Sequence, residues 1–254
     1  MKVFFASILG LLFFFDATFA THRSQSKNVH LIEVPRPGKG IDFCKGCVDF
    51  TDHAIDDMIE IILNAGVLGT CQTLCNALAT KTGSQALGAV CDILCSIVGI
   101  EEFVKLIEKA DLDSFYFCEL LSVCKINDHG DATITKFEIT PASAPRGSTF
   151  TMNIEYTSKN GTGPGQIELD IDTIDGIPVG GDFFHDNQPT GTYSLSVQLK
   201  TDSSGCDPEG PCEEWKPGNY TAHLYVCNGE CGSKHPHSQL YATTQAEFHI
   251  VHKK

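Results

Sequence analysis

The spacing of the first eight cysteines constrains the fold of this chain more than any other feature. When the first is paired with the eighth, the second with the seventh, and so on inward, all four pairs share a midpoint close to Gly83. Two antiparallel arms folded about a central turn produce this symmetry, and the stretch 81–84 (Lys-Thr-Gly-Ser) supplies the turn. Eight cysteines allow about 105 pairings, so the spacing favours the nested scheme without fixing it. The favoured pairs are Cys44–Cys124, Cys47–Cys118, Cys71–Cys95 and Cys75–Cys91.

The residues between these cysteines follow a helical period. Cys71 and Cys75 are four residues apart, as are Cys91 and Cys95, which places each pair on one face of a helix. Apolar residues recur at helical spacing in five successive segments, with polar residues on the opposite side. The sequence therefore predicts helices over 47–62, 67–79, 85–98, 100–110 and 115–124.

From residue 131 onward the apolar residues recur with a period of two. Phe150, Met152, Ile154 and Tyr156, for example, alternate with polar residues, which is typical of a strand with one buried face. Turn signals such as Asn228-Gly separate at least six such segments. An antiparallel immunoglobulin-like β-sandwich is the architecture that this pattern favours. The predicted strands cover 133–140, 150–157, 167–171, 193–199, 220–226 and 239–251.

The amino-terminal residues predict secretion. Lys2 precedes an apolar run over 3–15, and small residues at Thr18 and Ala20 complete the pattern of a signal peptide cleaved after Ala20. We therefore expect a secreted protein, with an endolysosomal lumen as the alternative, and twelve cysteines fit this oxidising route. The predicted organisation is a signal peptide over 1–20, an extended leader over 21–42, a helical domain over 43–126 and a sandwich over 131–254.

Two glycosylation sequons and four further cysteines lie in the predicted sandwich. Asn160 and Asn219 each begin an Asn-x-Thr sequence, which secretion would make usable for N-glycosylation. Short loops separate Cys206 from Cys212 and Cys227 from Cys231, so local pairs are predicted. The crossed pairing of these four cysteines stays open.

Charge and motif content argue against several functions. The formal net charge of −14 disfavours nucleic acid as a partner, because a polyanion needs a basic face. His235 and His237, and His185 beside Asp186, suggest a metal, but a site needs further ligands of matching geometry, so ordinary loop histidines are favoured. The chain has no Gly-x-Ser-x-Gly elbow, P-loop or dinucleotide motif. We predict no catalytic, cofactor-binding or metal-binding residue, no cofactor, and no enzymatic activity.

The cysteine pattern over 43–126 resembles that of saposin-like domains. The resemblance rests on the C-x-x-C of Cys44 and Cys47, on a middle pair across a helical hairpin, and on Cys118 and Cys124 six residues apart. One additional middle pair departs from the usual six-cysteine form. The resemblance implies a five-helix domain that handles lipid by exposing its apolar inner faces. Twelve carboxylates against four lysines over 44–124 oppose an anionic membrane at neutral pH, so membrane contact is expected to need acid.

A saposin-like domain followed by a sandwich resembles the countin family, which comprises secreted amoebal glycoproteins of the cell-counting factor. Three motifs carry this resemblance: Tyr116-Phe-Cys-Glu, Asp175-Gly-Ile-Pro and the run 227–237. It implies a secreted, non-enzymatic subunit that limits group size in multicellular development, with other secreted subunits or a cell-surface receptor as partners. The alternative is a saposin-like lipid-binding or membrane-perturbing effector, active at acidic pH, whose partner is a lipid or membrane surface.

Overall fold

The computed structural model describes residues 31–33, 42–65, 69–110, 113–177, 179–202 and 212–252. The predicted signal peptide, most of the predicted leader, and Cys206 lie outside the described residues. The helices are α1 (Phe43–Ala65), α2 (Cys71–Thr82), α3 (Gln85–Val98), α4 (Ile100–Ala110) and α5 (Ser114–Leu120). The strands are β1 (Leu31–Glu33), β2 (Thr133–Thr140), β3 (Ser143–Pro145), β4 (Thr149–Ser158), β5 (Gly165–Asp172), β6 (Val179–His185), β7 (Gly191–Lys200), β8 (Gly218–Asn228) and β9 (Gln239–Val251).

The turn between α2 and α3 lies at the shared midpoint of the cysteine pairs. Gly83 ends α2 in the left-handed region (φ 69°), which a residue without a Cβ enters at no steric cost. Ser84 caps α3 by accepting a hydrogen bond from the Leu87 amide. At Gly88 a Cβ would lie 2.7 Å from the Cβ of Ala79, so glycine lets α3 approach α2 closely. This contact brings the two helices within disulfide distance.

Four disulfides fasten the helices to one another. Two of them join α2 to α3, and two join the first turn of α1 to α5 and to the segment that follows α5. The pairs are Cys44–Cys124, Cys47–Cys118, Cys71–Cys95 and Cys75–Cys91, which are the pairs that share the Gly83 midpoint. The helices close around a core in which Ile55, Met58, Leu78, Phe103 and Phe117 are fully buried.

The remaining elements form two sheets with a second core between them. The four-stranded sheet has the order β1-β7-β4-β2, and the five-stranded sheet has the order β3-β9-β8-β5-β6. Neighbouring strands are antiparallel except β3 and β9, which are parallel. Phe150 and Tyr220 contact Phe248 from opposite sheets, with ring centroids 4.7 Å and 5.3 Å away. All six predicted strands are present, and β1, β3 and β6 are additional.

The predicted fold class, a saposin-like five-helix domain followed by an immunoglobulin-like sandwich, is wrong, although the order of helices before sheets is correct from residue 43 onward. The described residues form five helices and two sheets, and their packing crosses the predicted division. Strand β1 precedes the helices in the chain yet pairs with β7, and Phe184 of β6 packs against the helical core. Cysteine spacing records which segments are tied together. Cysteine spacing does not indicate which other surfaces those segments contact, so it does not determine the fold class.

We expect the outermost and innermost disulfides to contribute similarly to stability, although their sequence separations are 80 and 16 residues. Isolated bridges of those spans would contribute about 4–5 and about 3 kcal/mol in the chain-entropy model. In the folded protein, each of these two disulfides lies next to another disulfide of the nested set. Removing it therefore releases only the short chain segments between it and that neighbouring disulfide. Replacing either pair by alanine should therefore cost about 2–3 kcal/mol in urea unfolding. A loss that scales with sequence separation would contradict this account.

Candidate functional site at the junction of helices and sheets

A disulfide-closed loop after β8 brings polar side chains of the sheets to the helices. Cys227, the next-to-last residue of β8, forms a disulfide with Cys231. The chain then continues through Ser233, His235 and His237 before β9 begins. All three of these side chains are partly buried, and each contacts a residue at the start of α5 or in the segment that follows α5. We call the loop over 229–238 the junction loop.

Helix α5 begins at this loop. The Asp113 carboxylate caps α5, with Oδ1 accepting a hydrogen bond from the Tyr116 amide at 2.8 Å. Its other oxygen, Oδ2, accepts a hydrogen bond from Ser233 Oγ in the junction loop. The ring of His235 stacks on that of Tyr116, with centroids 4.6 Å apart and an interplanar angle of 13°. One carboxylate therefore fixes both the start of the helix and the position of the loop.

Three further contacts connect the helices, or the segment after α5, to the sheets and the junction loop. The rings of Phe115 in α5 and Phe184 in β6 are stacked, with centroids 5.9 Å apart, and Lys45 Nζ lies 5.5 Å from the Phe184 centroid. In the segment between α5 and β2, Asp128 Oδ1 lies 2.7 Å from His237 Nδ1 of the junction loop. The junction thus has an aromatic part at β6 and a polar part at the junction loop.

Glu119 is a second buried carboxyl of this junction, beside Asp113. Only 7% of its surface is exposed, and burial raises its pKa to about 7. The carboxylates of Asp113 and Asp128 raise the pKa further, while His237 acts in the opposite direction. A carboxyl in this environment changes its charge close to neutral pH, which an exposed glutamate does not do.

A second set of carboxyls lies on the outer face of β5 and β6. Burial, followed by the charges of Asp170 and Asp182, raises the pKa of Glu168 to about 7. Asp182 pairs with Glu168 across the strands, and its own pKa is raised to about 6 by burial, by Asp170 and by Asp52 of α1. The Asp182 side chain keeps an exposed surface, so solvent screening reduces its contribution relative to Glu168 and Glu119.

The histidines that suggested a metal are occupied in other contacts. His185 is buried, with Nε2 2.8 Å from the Cys227 carbonyl oxygen and Nδ1 3.2 Å from that of Asp186, and burial lowers its pKa. Within the described ranges, no group of three or more histidine, cysteine, aspartate or glutamate side chains is arranged to hold a metal ion. The sequence does not indicate that His235 contacts Tyr116 or that His237 contacts Asp128, because these partners are far apart in the chain.

The predicted glycosylation sites are both on exposed residues. Asn160 follows β4, and its backbone N–H donates a hydrogen bond to Asp131 Oδ1 at 2.7 Å. This bond lowers the pKa of Asp131. Asn219 lies in β8, with Oδ1 2.7 Å from His249 Nδ1 on the paired strand. Their glycosylation stays a prediction.

The second disulfide predicted for the sandwich, Cys206–Cys212, stays a prediction, because Cys206 is outside the described residues. Cys212 is disulfide-bonded, and Cys227 and Cys231 are bonded to each other. None of the helices in the described part of the chain is long and apolar enough to span a membrane.

Comparison with known proteins gives two family matches that together cover most of the chain. Residues 42–122 match the countin N-terminal domain, and residues 132–254 match the countin C-terminal domain. Countin-1 of Dictyostelium discoideum is 38% identical over 83% of this chain and 78% of its own length. Countin-3 and Countin-2 of the same organism are 33% and 32% identical over 82% of this chain, and over 89% and 78% of their own lengths. The chain belongs to the countin family.

Likeness to solved structures is remote. The C-terminal domain of wzt, for example, is 11% identical, with a TM-score of 0.36 over 52% of this chain and 80% of that one. Similarity at this level carries no argument about function.

The buried carboxyls predict that acid stabilises the protein. Because the pKa values of Glu119 and Glu168 are raised in the folded state, the folded protein binds more protons than the unfolded chain. Their contribution to stability is therefore complete below about pH 4 and is lost as the pH rises through about 7. Buried His185 acts in the opposite direction, because with its lowered pKa the folded protein does not take up the proton that the unfolded chain binds as the pH falls through about 6.5. Two raised carboxyls outweigh this one histidine, so the melting temperature should still be higher at pH 5 than at pH 7.5.

Glu119→Gln should remove part of this dependence, because the amide is neutral at every pH. We expect the variant to be more stable than the wild type by about 1–2 kcal/mol at pH 7.5, after allowance for solvent screening, and nearly equal at pH 5. Glu108→Gln, at an exposed glutamate of α4, is the matched control and should leave the pH profile unchanged. Identical profiles for Glu119→Gln and the wild type would show that Glu119 is not the titrating group.

Proposed function

We propose that this protein is a secreted, non-enzymatic regulator of group size that acts by binding other secreted subunits or a cell-surface receptor. The observation that carries the proposal is the similarity to Countin-1, because 38% identity extends over 83% of the chain and includes both the helical and the sheet regions. Relatives that keep both regions in one chain are expected to use them for the same task.

Secretion is supported by the predicted signal peptide over 1–20 and by the disulfides. Five disulfides join described cysteines, and such bonds persist in oxidising compartments. The sequons at Asn160 and Asn219 lie on exposed residues, which fits a glycoprotein. Cleavage of the predicted signal peptide after Ala20 is part of the proposal.

A role without catalysis is supported by what the polar side chains of the junction do. Asp113 caps α5 and accepts from Ser233, His235 stacks on Tyr116, and His237 pairs with Asp128. The cap fixes the start of α5, and the other contacts hold α5 and the segment that follows it against the junction loop. General acid/base catalysis instead needs two groups directed at a reacting atom, and the surroundings must shift the pKa values of the two groups apart.

The group-size function has a direct test. Removing the gene should change the size of the groups that the cells form, and adding back the purified secreted protein should restore the original size. His235→Ala and His237→Ala should retain this activity at pH 5, where the junction is most stable, in proportion to the fraction of protein that remains folded. Loss of activity in a variant with an unchanged melting temperature and circular dichroism spectrum would oppose the non-enzymatic proposal and reopen a catalytic or metal role.

Contact with a lipid or membrane surface at acidic pH is the second candidate, favoured by one observation. Protonation of Glu119 and Glu168 lowers the negative charge of the protein between pH 7 and 5. Binding to phosphatidylserine vesicles should then be weak at pH 7 and stronger at pH 5 in a sedimentation assay. Equal binding at both pH values, or none at either, would remove the support for this candidate.

A further inference from the structure

Helix α3 has an apolar face that no described residue covers. Its other face packs into the helical core, where Cys91 and Cys95 form disulfides with α2. On the outward face the side chains of Ile93 and Ile97 are 64% and 54% exposed. The same face includes two exposed alanines and, at its edge, Val90, which is half-buried because part of its side chain packs against the helical core. We call this set, Ala86, Ala89, Val90, Ile93 and Ile97, the α3 stripe.

The spacing of the stripe suits another helix. Its members recur after three or four residues over three turns, which places them in one line along α3. Single exposed apolar residues are ordinary on protein surfaces, but a continuous line at this spacing is the pattern of a helix that packs against a partner helix. Leu63 of α1 is more exposed, at 79%, but its neighbours at helical spacing, Ile59 and Glu60, do not continue an exposed apolar line.

The charge around the stripe indicates which partner it fits. The formal net charge of the chain is −14, yet residues 69–99 include only two charged side chains, Lys81 and Asp92. Lys81 Nζ is paired with Asp57 and Glu60 at 3.3 Å and 2.5 Å. Two identical copies related by a two-fold axis bring the same patch against itself, so a patch with net charge repels its own copy. In an acidic protein, a nearly uncharged surface is where two copies can meet.

The shapes along the stripe also fit a two-fold arrangement. If two α3 helices lie antiparallel with the axis between residues 91 and 92, Ile97 of one copy faces Ala86 of the other, and Ile93 faces Val90. Isoleucine then opposes the smaller alanine or valine at two levels of the stripe, which suits close packing of a helix pair. A membrane surface fits less well, because the stripe has no lysine, arginine or aromatic residue to anchor it at lipid headgroups.

We propose that the α3 stripe is a self-association surface through which two copies of this protein form an antiparallel helix pair. The surface is small compared with the roughly 800 Å² per partner of a standard stable interface, so the dimer is weak and depends on concentration. The proposal is independent of the group-size function, since a monomeric variant can still be assayed for that activity.

Sedimentation equilibrium of the full secreted protein over a concentration series tests the proposal. The average mass of the wild type should rise from one copy toward two as concentration increases. Ile93→Glu places a carboxylate near the axis in both copies and should weaken association at least about tenfold. Leu63→Glu adds the same charge at another exposed apolar position and should associate like the wild type. Non-reducing peptide mapping and circular dichroism check that both variants are folded.

Each other outcome overturns the proposal. A wild type that stays monomeric throughout, or an Ile93→Glu variant that still dimerises, excludes the α3 stripe as the interface. A wild type that remains monomeric but binds phosphatidylcholine vesicles, with binding lost in Ile93→Glu and kept in Leu63→Glu, would assign the stripe to a lipid surface.

Discussion

Four disulfides nested about Gly83 hold the helices in the arrangement on which the rest of the structure depends. A helical unit of this size has a small core, and crosslinks compensate for the apolar area that it lacks. Because Cys47–Cys118 fixes α5 beside α1, the start of α5 is held where Asp113 and Tyr116 meet the junction loop. Because two bridges fasten one face of α3 to α2, the α3 stripe is left facing outward.

The junction makes the association of helices and sheets sensitive to acid. The stacked rings at β6 do not titrate, although Asp182 of the same strand does, whereas the contacts at the junction loop involve Asp113, Asp128 and His237, which interact electrostatically with Glu119. Neutralising that carboxyl removes the cost of keeping a charge away from water and its repulsion with Asp113 and Asp128. A mildly acidic medium therefore strengthens the polar part of the junction and leaves the aromatic part unchanged.

The sequence predicted local structure better than packing. The midpoint of the cysteine pairs located the α2–α3 turn, and a period of two located six strands, because both patterns reflect residues close together in the chain. β6 was missed because it begins Val179-Gly-Gly, which interrupts the alternation that marks a strand. The fold class was wrong for a different reason. Whether Phe184 packs on α5, or β1 on β7, is decided by surfaces far apart in the sequence, and periodicity does not encode them.

The candidate site shows the same limit. His235 and His237 are close together in the sequence, which suggests a metal-binding pair. Their partners in the structure, Tyr116 and Asp128, lie more than a hundred residues earlier. Glu119 appeared in the sequence only as part of a family motif, and nothing in its neighbours indicated that it would be buried. In the folded protein Glu119 is buried and interacts electrostatically with Asp113, Asp128 and His237, residues that only the whole fold brings together.

The central claim is that the helices and the sheets unfold together because the junction couples them. Differential scanning calorimetry of the full secreted protein at pH 5, with its disulfides intact, tests this claim most directly. The account predicts a single transition whose calorimetric and van't Hoff enthalpies agree. Two resolved transitions, one of them matching that of the isolated fragment 132–254, would contradict it.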